Sequence, residues 1–241
     1  MSAAPGPLRH PSTSAVIPAL NEEEPIGEVV RSVLGTAVGE VIVVDNGSTD
    51  RTAQRAQASG ARVVSEPRPG YGRACAAGVA AVRGHCEVIL FLDGDGSDCP
   101  EFIPQLLAPI EAGTHDFVIG SRIRGRREPG SMGHQQILAG YLAGLLCRWV
   151  YGFAYTDMSP FRAIRRDRLG PLGMREETYG WNLEMQMRAA AQGLRILEIP
   201  VDHRRRAGGA SKVSGNLLGS LRAAARIPWT FVRVALASRN R

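Results

Sequence analysis

Lysine is almost missing from this 241-residue chain: Lys212 is the only one, although the formal charge is +6. The basic surplus is therefore arginine, whose planar fork suits bidentate binding of phosphate. Arginines cluster at 122–127, 162–168 and 204–206, and a solvated basic face is the plainer reading of each. Aromatics make up only 6% and do not interleave with these clusters, which argues against a nucleic-acid platform. Cys75, Cys86, Cys99 and Cys147 form no Cys-x-x-Cys pair. That disfavours a zinc site or disulfide framework and favours buried thiols in a reducing, cytoplasmic compartment. No run reaches the roughly 18–20 apolar residues of a spanning helix. Residues 1–12 lack the apolar core of a secretory signal and read as a disordered tail. Internal repeats are absent.

What is present is an alternation of short apolar runs and amphipathic stretches. Strands are expected at Ser14–Pro18, Val41–Asp45, Ala61–Ser65, Val88–Leu92 and Asp116–Gly120, with helices between them. Asn21 and the three glutamates after it read as the capped start of a helix running to Leu34. This pattern predicts a three-layer α/β fold around a doubly wound, mainly parallel sheet. After Ser121 come a basic Gly-rich loop, an apolar helix around Ile137–Cys147, a strand at Pro160–Arg165, a helix at Asn182–Gln192 and a strand at Leu194–Val201. These read as an extension of the same domain. A C-terminal helical segment from Val213 carries Arg222, Arg226 and Arg233. Ile137–Cys147 and Ile227–Ser238 suit core helices or, with Trp149, Trp229 and flanking arginines, a membrane interface.

Chemistry concentrates where three strands end. The turns Pro18–Glu22, Asp45–Asp50 and Asp93–Asp98 project from one edge of a parallel sheet, where ligands of open α/β sheets bind. Asp93 and Asp95 offer hard oxygens to Mg²⁺ or Mn²⁺, and Gly94 between them allows close approach of a ligand. A polar turn capping the next helix is the alternative. Gly70-Tyr71-Gly72-Arg73 carries two glycines of a dinucleotide fingerprint, but Cys75 fills the third place and the element follows the wrong strand. Its helix N-terminus could hold a phosphate with Arg73, or be a plain tight turn.

Six segments in order resemble family 2 glycosyltransferases of the GT-A fold, within them the polyprenyl- and dolichyl-phosphate sugar synthases. They are Val16–Glu22, Val43–Asp50, Leu92–Asp95, Gly120–Arg122, Thr156–Arg162 and Gly209–Lys212. The resemblance implies a catalytic domain over 13–212, with a donor half at 13–122 and an acceptor half at 123–212, followed by an amphipathic segment at 213–241. It implies that Pro18, Ala19, Glu22 and Asp45 hold the base and ribose of a nucleotide-sugar, that Asp93 bridges towards the ribose or metal, that Asp95 is the principal metal ligand, and that Gly94 between them also contacts the donor. Arg122 is implied on the acceptor phosphate or donor diphosphate, with Arg162, Arg206 and Lys212 as further phosphate contacts. Two departures stand out: Ser97 replaces a Gln metal contact, and Pro160 replaces a Gly before Phe161-Arg162. His203 is a further metal-ligand candidate, or a surface residue beside Arg204.

The implied reaction is displacement at the anomeric carbon with inversion. A lipid monophosphate acceptor arrives already ionised and needs positioning, whereas a hydroxyl acceptor needs a carboxylate base. Asp157 and Glu184 are the candidates, and Glu184 also reads as an i,i+4 ion pair with Arg188. The expected partners are a nucleotide-sugar, a lipid phosphate and an anionic membrane surface on the cytosolic side, with a second copy of the chain as a further candidate. A soluble hydroxyl acceptor and a non-catalytic nucleotide-binding scaffold stay open. A sugar nucleotidyltransferase is disfavoured, because Asn21 and the glutamates stand where its Gly-rich loop belongs.

Overall fold

The apolar runs assemble into one seven-stranded sheet in the computed structural model, which describes residues 13–208 and 229–236. The strands are β1 (Thr13–Ala19), β2 (Glu40–Asp45), β3 (Arg62–Ser65), β4 (Val88–Phe91), β5 (Phe117–Ser121), β6 (Arg162–Arg165) and β7 (Ile196–Pro200). Their order is β3-β2-β1-β4-β6-β5-β7, and β6 alone runs antiparallel, to both β4 and β5. The helices are α1 (Ile26–Leu34), α2 (Thr52–Ala58), α3 (Tyr71–Ala81), α4 (Ile103–Glu111), α5 (His134–Tyr151), α6 (Arg166–Leu172) and α7 (Trp181–Ala191). Residues 229–236 are helical.

Alternation along the strands divides the core between two layers. Ala15, Ile17, Val41, Val43 and Leu90 face α1, α2 and α4. Val16, Ile42, Val44, Ile89 and Phe91 face the layer of α3, α5, α6 and α7. On α1, Ile26, Val29, Val30 and Val33 are buried at helical spacing, each worth about 1.5–3 kcal/mol when removed from water. In the other layer α3 comes closest to the sheet at Gly78, where a Cβ would come within 2.3 Å of Val16 Cγ1 and 3.0 Å of Val44 Cγ2. Larger residues would hold the helix off.

Two local expectations are corrected. The first helix starts at Ile26, because Asn21 adopts φ 52° and turns towards the neighbouring loop instead of capping. Between β6 and α7 lies α6, unannounced because Gly170 and Pro171 read as breakers. The antiparallel β6 has a simple cause. The chain leaves β5 at the carboxyl edge and the segment before β6 returns to that same edge, where Gly120 N–H donates to Phe161 O at 2.9 Å. It can then only run back down between β4 and β5. The expected tail at 1–12 and most of the segment from 213 lie outside the described residues, as does Lys212.

Candidate active site

Because β2, β1 and β4 are adjacent and parallel, their terminal turns meet at one edge. The first two are laced together. Asn21 N–H donates to Ser48 Oγ at 3.0 Å, Thr49 N–H to Asn21 Oδ1 at 2.8 Å, and Glu22 N–H to Thr52 Oγ1 at 2.8 Å. Asp45, opposite Ala19 in register, accepts from Ser48 N–H at 3.1 Å and is half-buried. Pro18 and Ala19 are buried at the strand end. Asn46, which the sequence reading did not single out, fixes the approach to α3: it accepts from Gly70 N–H at 2.8 Å and donates to Glu66 O and Arg68 O.

The third turn is drawn tight by its own carboxylates. Asp98 accepts from Asp93 N–H at 2.9 Å, and Asp95 accepts from Ser97 N–H at 2.9 Å. Gly94 serves packing here, since a Cβ would lie 3.2–3.5 Å from Ile26, Ile17 and Ala19. From the far side of the sheet, residues 203–208 cross this edge: Arg204 N–H donates to Ser97 O and Ala207 N–H to Asp95 O. That crossing carries Arg206 between Asp95, at 2.7 Å, and Glu22. Arg206, which the resemblance implies on a phosphate, here pairs with these two carboxylates. His203 is buried beneath it, with Nδ1 lacking a hydrogen-bond partner and 3.9 Å from Asp98 Oδ1.

The electrostatics ask for positive charge. Burial, then the neighbouring charges of Asp95 and Asp98, pushes Asp93 well above the usual carboxylate range. Burial likewise pushes Asp98 up to about 7. Burial and then the Arg122 charge hold His203 down to about 4, so its imidazole is neutral near pH 7. Among the described residues no three His, Cys, Asp or Glu side chains already converge on one point. A buried imidazole with an unused nitrogen beside carboxylates that repel one another is nonetheless a donor set suited to a hard divalent cation.

Beyond β5, Arg122 and Asp157 form a bidentate pair, Nε to Oδ2 and Nη2 to Oδ1, both at 2.8 Å. The Arg122 backbone N–H adds a third bond to Oδ2 at 3.0 Å. Burial opposes both charges, but mutual attraction and hydrogen bonding outweigh it. They hold Asp157 below the usual range and raise Arg122 above its own.

Comparison with known proteins assigns this arrangement. The profile described as "Glycosyl transferase family 2" matches residues 14–170. The chain belongs to that family. An uncharacterized glycosyltransferase of Mycobacterium tuberculosis is 38% identical over 87% of this chain and 93% of its own length. The undecaprenyl-phosphate mannosyltransferase of Micrococcus luteus is 33% identical over 85% of this chain and 88% of its own. Among solved structures, glucosyl-3-phosphoglycerate synthase from M. tuberculosis, crystallised with Mn²⁺, UDP-glucose and phosphoglyceric acid, superposes with TM-score 0.72 at 28% identity. It covers 93% of this chain and 80% of its own. The fold is accordingly of the GT-A type that the motif order implies, and the protein is an enzyme.

In this glycosyltransferase the remaining candidates are each held by contacts of their own. Glu184 is fully buried on α7, where it accepts from Arg175 N–H at 2.9 Å and Arg188 Nε at 2.9 Å. Its ion-pair reading is the one realised, and the pair ties α7 to the loop before it. Arg162 is also fully buried. It donates to Asn182 O at 3.0 Å and to Ser159 O, over the Phe117 ring. Burial holds it down to about 10. Arg73 pairs with Glu177 and donates to Pro69 O, closing the start of α3 onto residues 176–177. That contact is close, since a Cβ on Gly72 would lie 2.2 Å from Glu176 O.

Proposed function

We propose that this family 2 glycosyltransferase moves a sugar, with inversion, from a UDP- or GDP-sugar to a polyprenyl phosphate at the cytosolic face of a membrane. Asp95 and His203, with Asp93 adjacent, would hold Mg²⁺ or Mn²⁺. That cation supplies Lewis-acid stabilisation of the departing diphosphate when bound. Pro18, Ala19, Glu22 and Asp45 seat the nucleoside, and the turn at Asp93–Asp95 orients the diphosphate. Arg206 brings a compensating positive charge to the same place. An acceptor phosphate oxygen attacks the anomeric carbon as the bond to the nucleoside diphosphate breaks, and the diphosphate leaves.

One observation carries the choice of acceptor. Asp157 is consumed by Arg122 and Glu184 by Arg188 and two backbone amides, so neither carboxylate candidate is free to act as a base. An acceptor that is already an anion needs none: a phosphate monoester with a second pKa of about 6 is largely dianionic at neutral pH. The similarity to undecaprenyl-phosphate mannosyltransferase along most of both chains supports the same choice. The similarity to glucosyl-3-phosphoglycerate synthase favours a second reading, a soluble acceptor that carries both a phosphate and a hydroxyl. A panel of UDP-glucose, UDP-galactose, UDP-N-acetylglucosamine and GDP-mannose against polyprenyl phosphate and phosphoglycerate, with Mg²⁺ or Mn²⁺, separates the two. Product on polyprenyl phosphate is expected. Product on phosphoglycerate alone refutes the lipid acceptor.

A further inference from the structure

The outward face of α5 carries the longest run of exposed large apolar side chains among the described residues. Leu138, Tyr141, Leu142, Leu145, Leu146, Trp149 and Val150 follow the helical period, and all are exposed. Trp149 is 84% exposed and Tyr141 65%. The helix is about 27 Å long, and the stripe from Leu138 to Val150 occupies about 18 Å of it. Such a continuous apolar surface marks an interaction site rather than scattered surface hydrophobes. The inward face is made of Gly140, Ala143, Gly144 and Cys147. Small residues let the helix press onto the strip that holds Asp157: a Cβ on Gly140 would lie 3.9 Å from the Asp157 Cα, and one on Gly144 would strike Tyr155 O. The apolar stripe and the Arg122–Asp157 pair are therefore separated by a single helix thickness, about 10 Å.

We propose that this stripe is the face by which the enzyme lies on an anionic lipid bilayer, with α5 parallel to the membrane plane. The charge pattern selects this occupant over a second copy of the chain. No Asp or Glu occurs between Pro129 and Thr156, nor anywhere after Asp202, while Arg148 lies in the first stretch and arginine recurs through the second. Arg126 and Arg127, in the loop feeding α5, are exposed and make no ion pair among the described residues, and Arg148 is exposed on the helix itself. Trp149 and Tyr141 are the side chains that settle at head-group depth, and each nearby arginine adds about 1 kcal/mol of attraction to an acidic leaflet. A second apolar stripe, Trp229, Val232 and Leu236, is exposed on residues 229–236, which pack in the same layer as α5. Two tryptophan-bearing stripes on one layer fit a plane better than a single pairwise groove. No described helix is long and apolar enough to cross the membrane, so the contact is with its surface. The proposal deepens the lipid-acceptor reading, on which its purpose rests.

The test is sedimentation of the full chain with vesicles of phosphatidylcholine alone or mixed with phosphatidylglycerol, at low and high salt. Wild type is expected to bind the acidic vesicles and to release with salt. Leu142→Asp/Leu146→Asp should bind at least about tenfold more weakly, and Trp149→Ala severalfold more weakly. Diphosphate release from donor should stay unchanged in both variants, which certifies their fold and metal site. Acidic-vesicle binding by the double variant equal to wild type overturns the proposal. So does a wild-type dimer that the double variant converts to monomer without any vesicle binding. Vesicle binding through α5 combined with transfer only to phosphoglycerate would keep this inference and remove the lipid-acceptor reading.

Discussion

The two halves of the sheet solve the same problem, placing charge at a carboxyl edge, in opposite ways. In the half proposed to seat the donor, β1, β2 and β4 run parallel and end in turns whose acids are shaped by nearby backbone amides, as Ser97 N–H shapes Asp95. Those carboxylates answer to cations that come from elsewhere, including Arg206 from the other half. In the half proposed to seat the acceptor, β6 reverses direction and the acids are closed upon arginines, Asp157 on Arg122 at the boundary and Glu184 on Arg188 within α7. Acids left open suit the binding of cations and what they carry. Acids neutralised in buried pairs suit the holding of shape.

Four substitutions test that contrast. Asp157→Asn strands a buried guanidinium and should cost about 3–5 kcal/mol in denaturant unfolding. Replacing both partners by apolar residues should recover most of it. A fully stable Asp157→Asn that has lost only turnover would make Asp157 a base. Asp95→Asn should leave stability nearly intact and lower kcat by roughly 10²–10³-fold, read as sugar transfer at saturating metal. Undiminished transfer would move the donor site away from this edge.

Glu184→Gln should cost about 1–3 kcal/mol through the bonds to Arg188, Arg175 and Glu176, with turnover per folded molecule retained. A lost rate with an unchanged melting curve would reverse the assignment. The smallest effect is expected at Asp116, where hydrogen bonds from Arg195 hold the carboxyl down to about 2 and tie the start of β5 to that of β7. A depressed pKa stabilises the fold above the unfolded value, and the benefit fades as pH falls through the folded one. Asp116→Asn should therefore be less stable than wild type by about 1 kcal/mol near neutrality, with the gap closing from about pH 4 towards pH 2.

The same contrast decides how much could be read from the chain. Every expected strand exists with ends shifted by a few residues, because buried runs such as Val88–Phe91 declare themselves by composition alone. The donor edge was legible because parallel strands put their terminal turns together whatever their order. The acceptor half was less so. Asp157 and Arg122 lie 35 positions apart, so nothing in the chain announced their pairing, whereas the i,i+4 spacing of Glu184 and Arg188 did announce theirs. The reversal of β6 has no signature of its own, and Asn46 looks like any turn residue until its three backbone bonds are seen.

Gly78 lies remote from the residues proposed to act, yet it sets how closely the neighbouring helix is seated. The clearance beneath it lets α3 rest on β1 and β2, which in turn brings Gly70 and Gly72 against the 176–177 backbone. A single added carbon there would lever the whole helix outward and open the rim of the catalytic edge from behind. Loss of activity in such a variant would come with every proposed donor and metal residue unaltered in sequence.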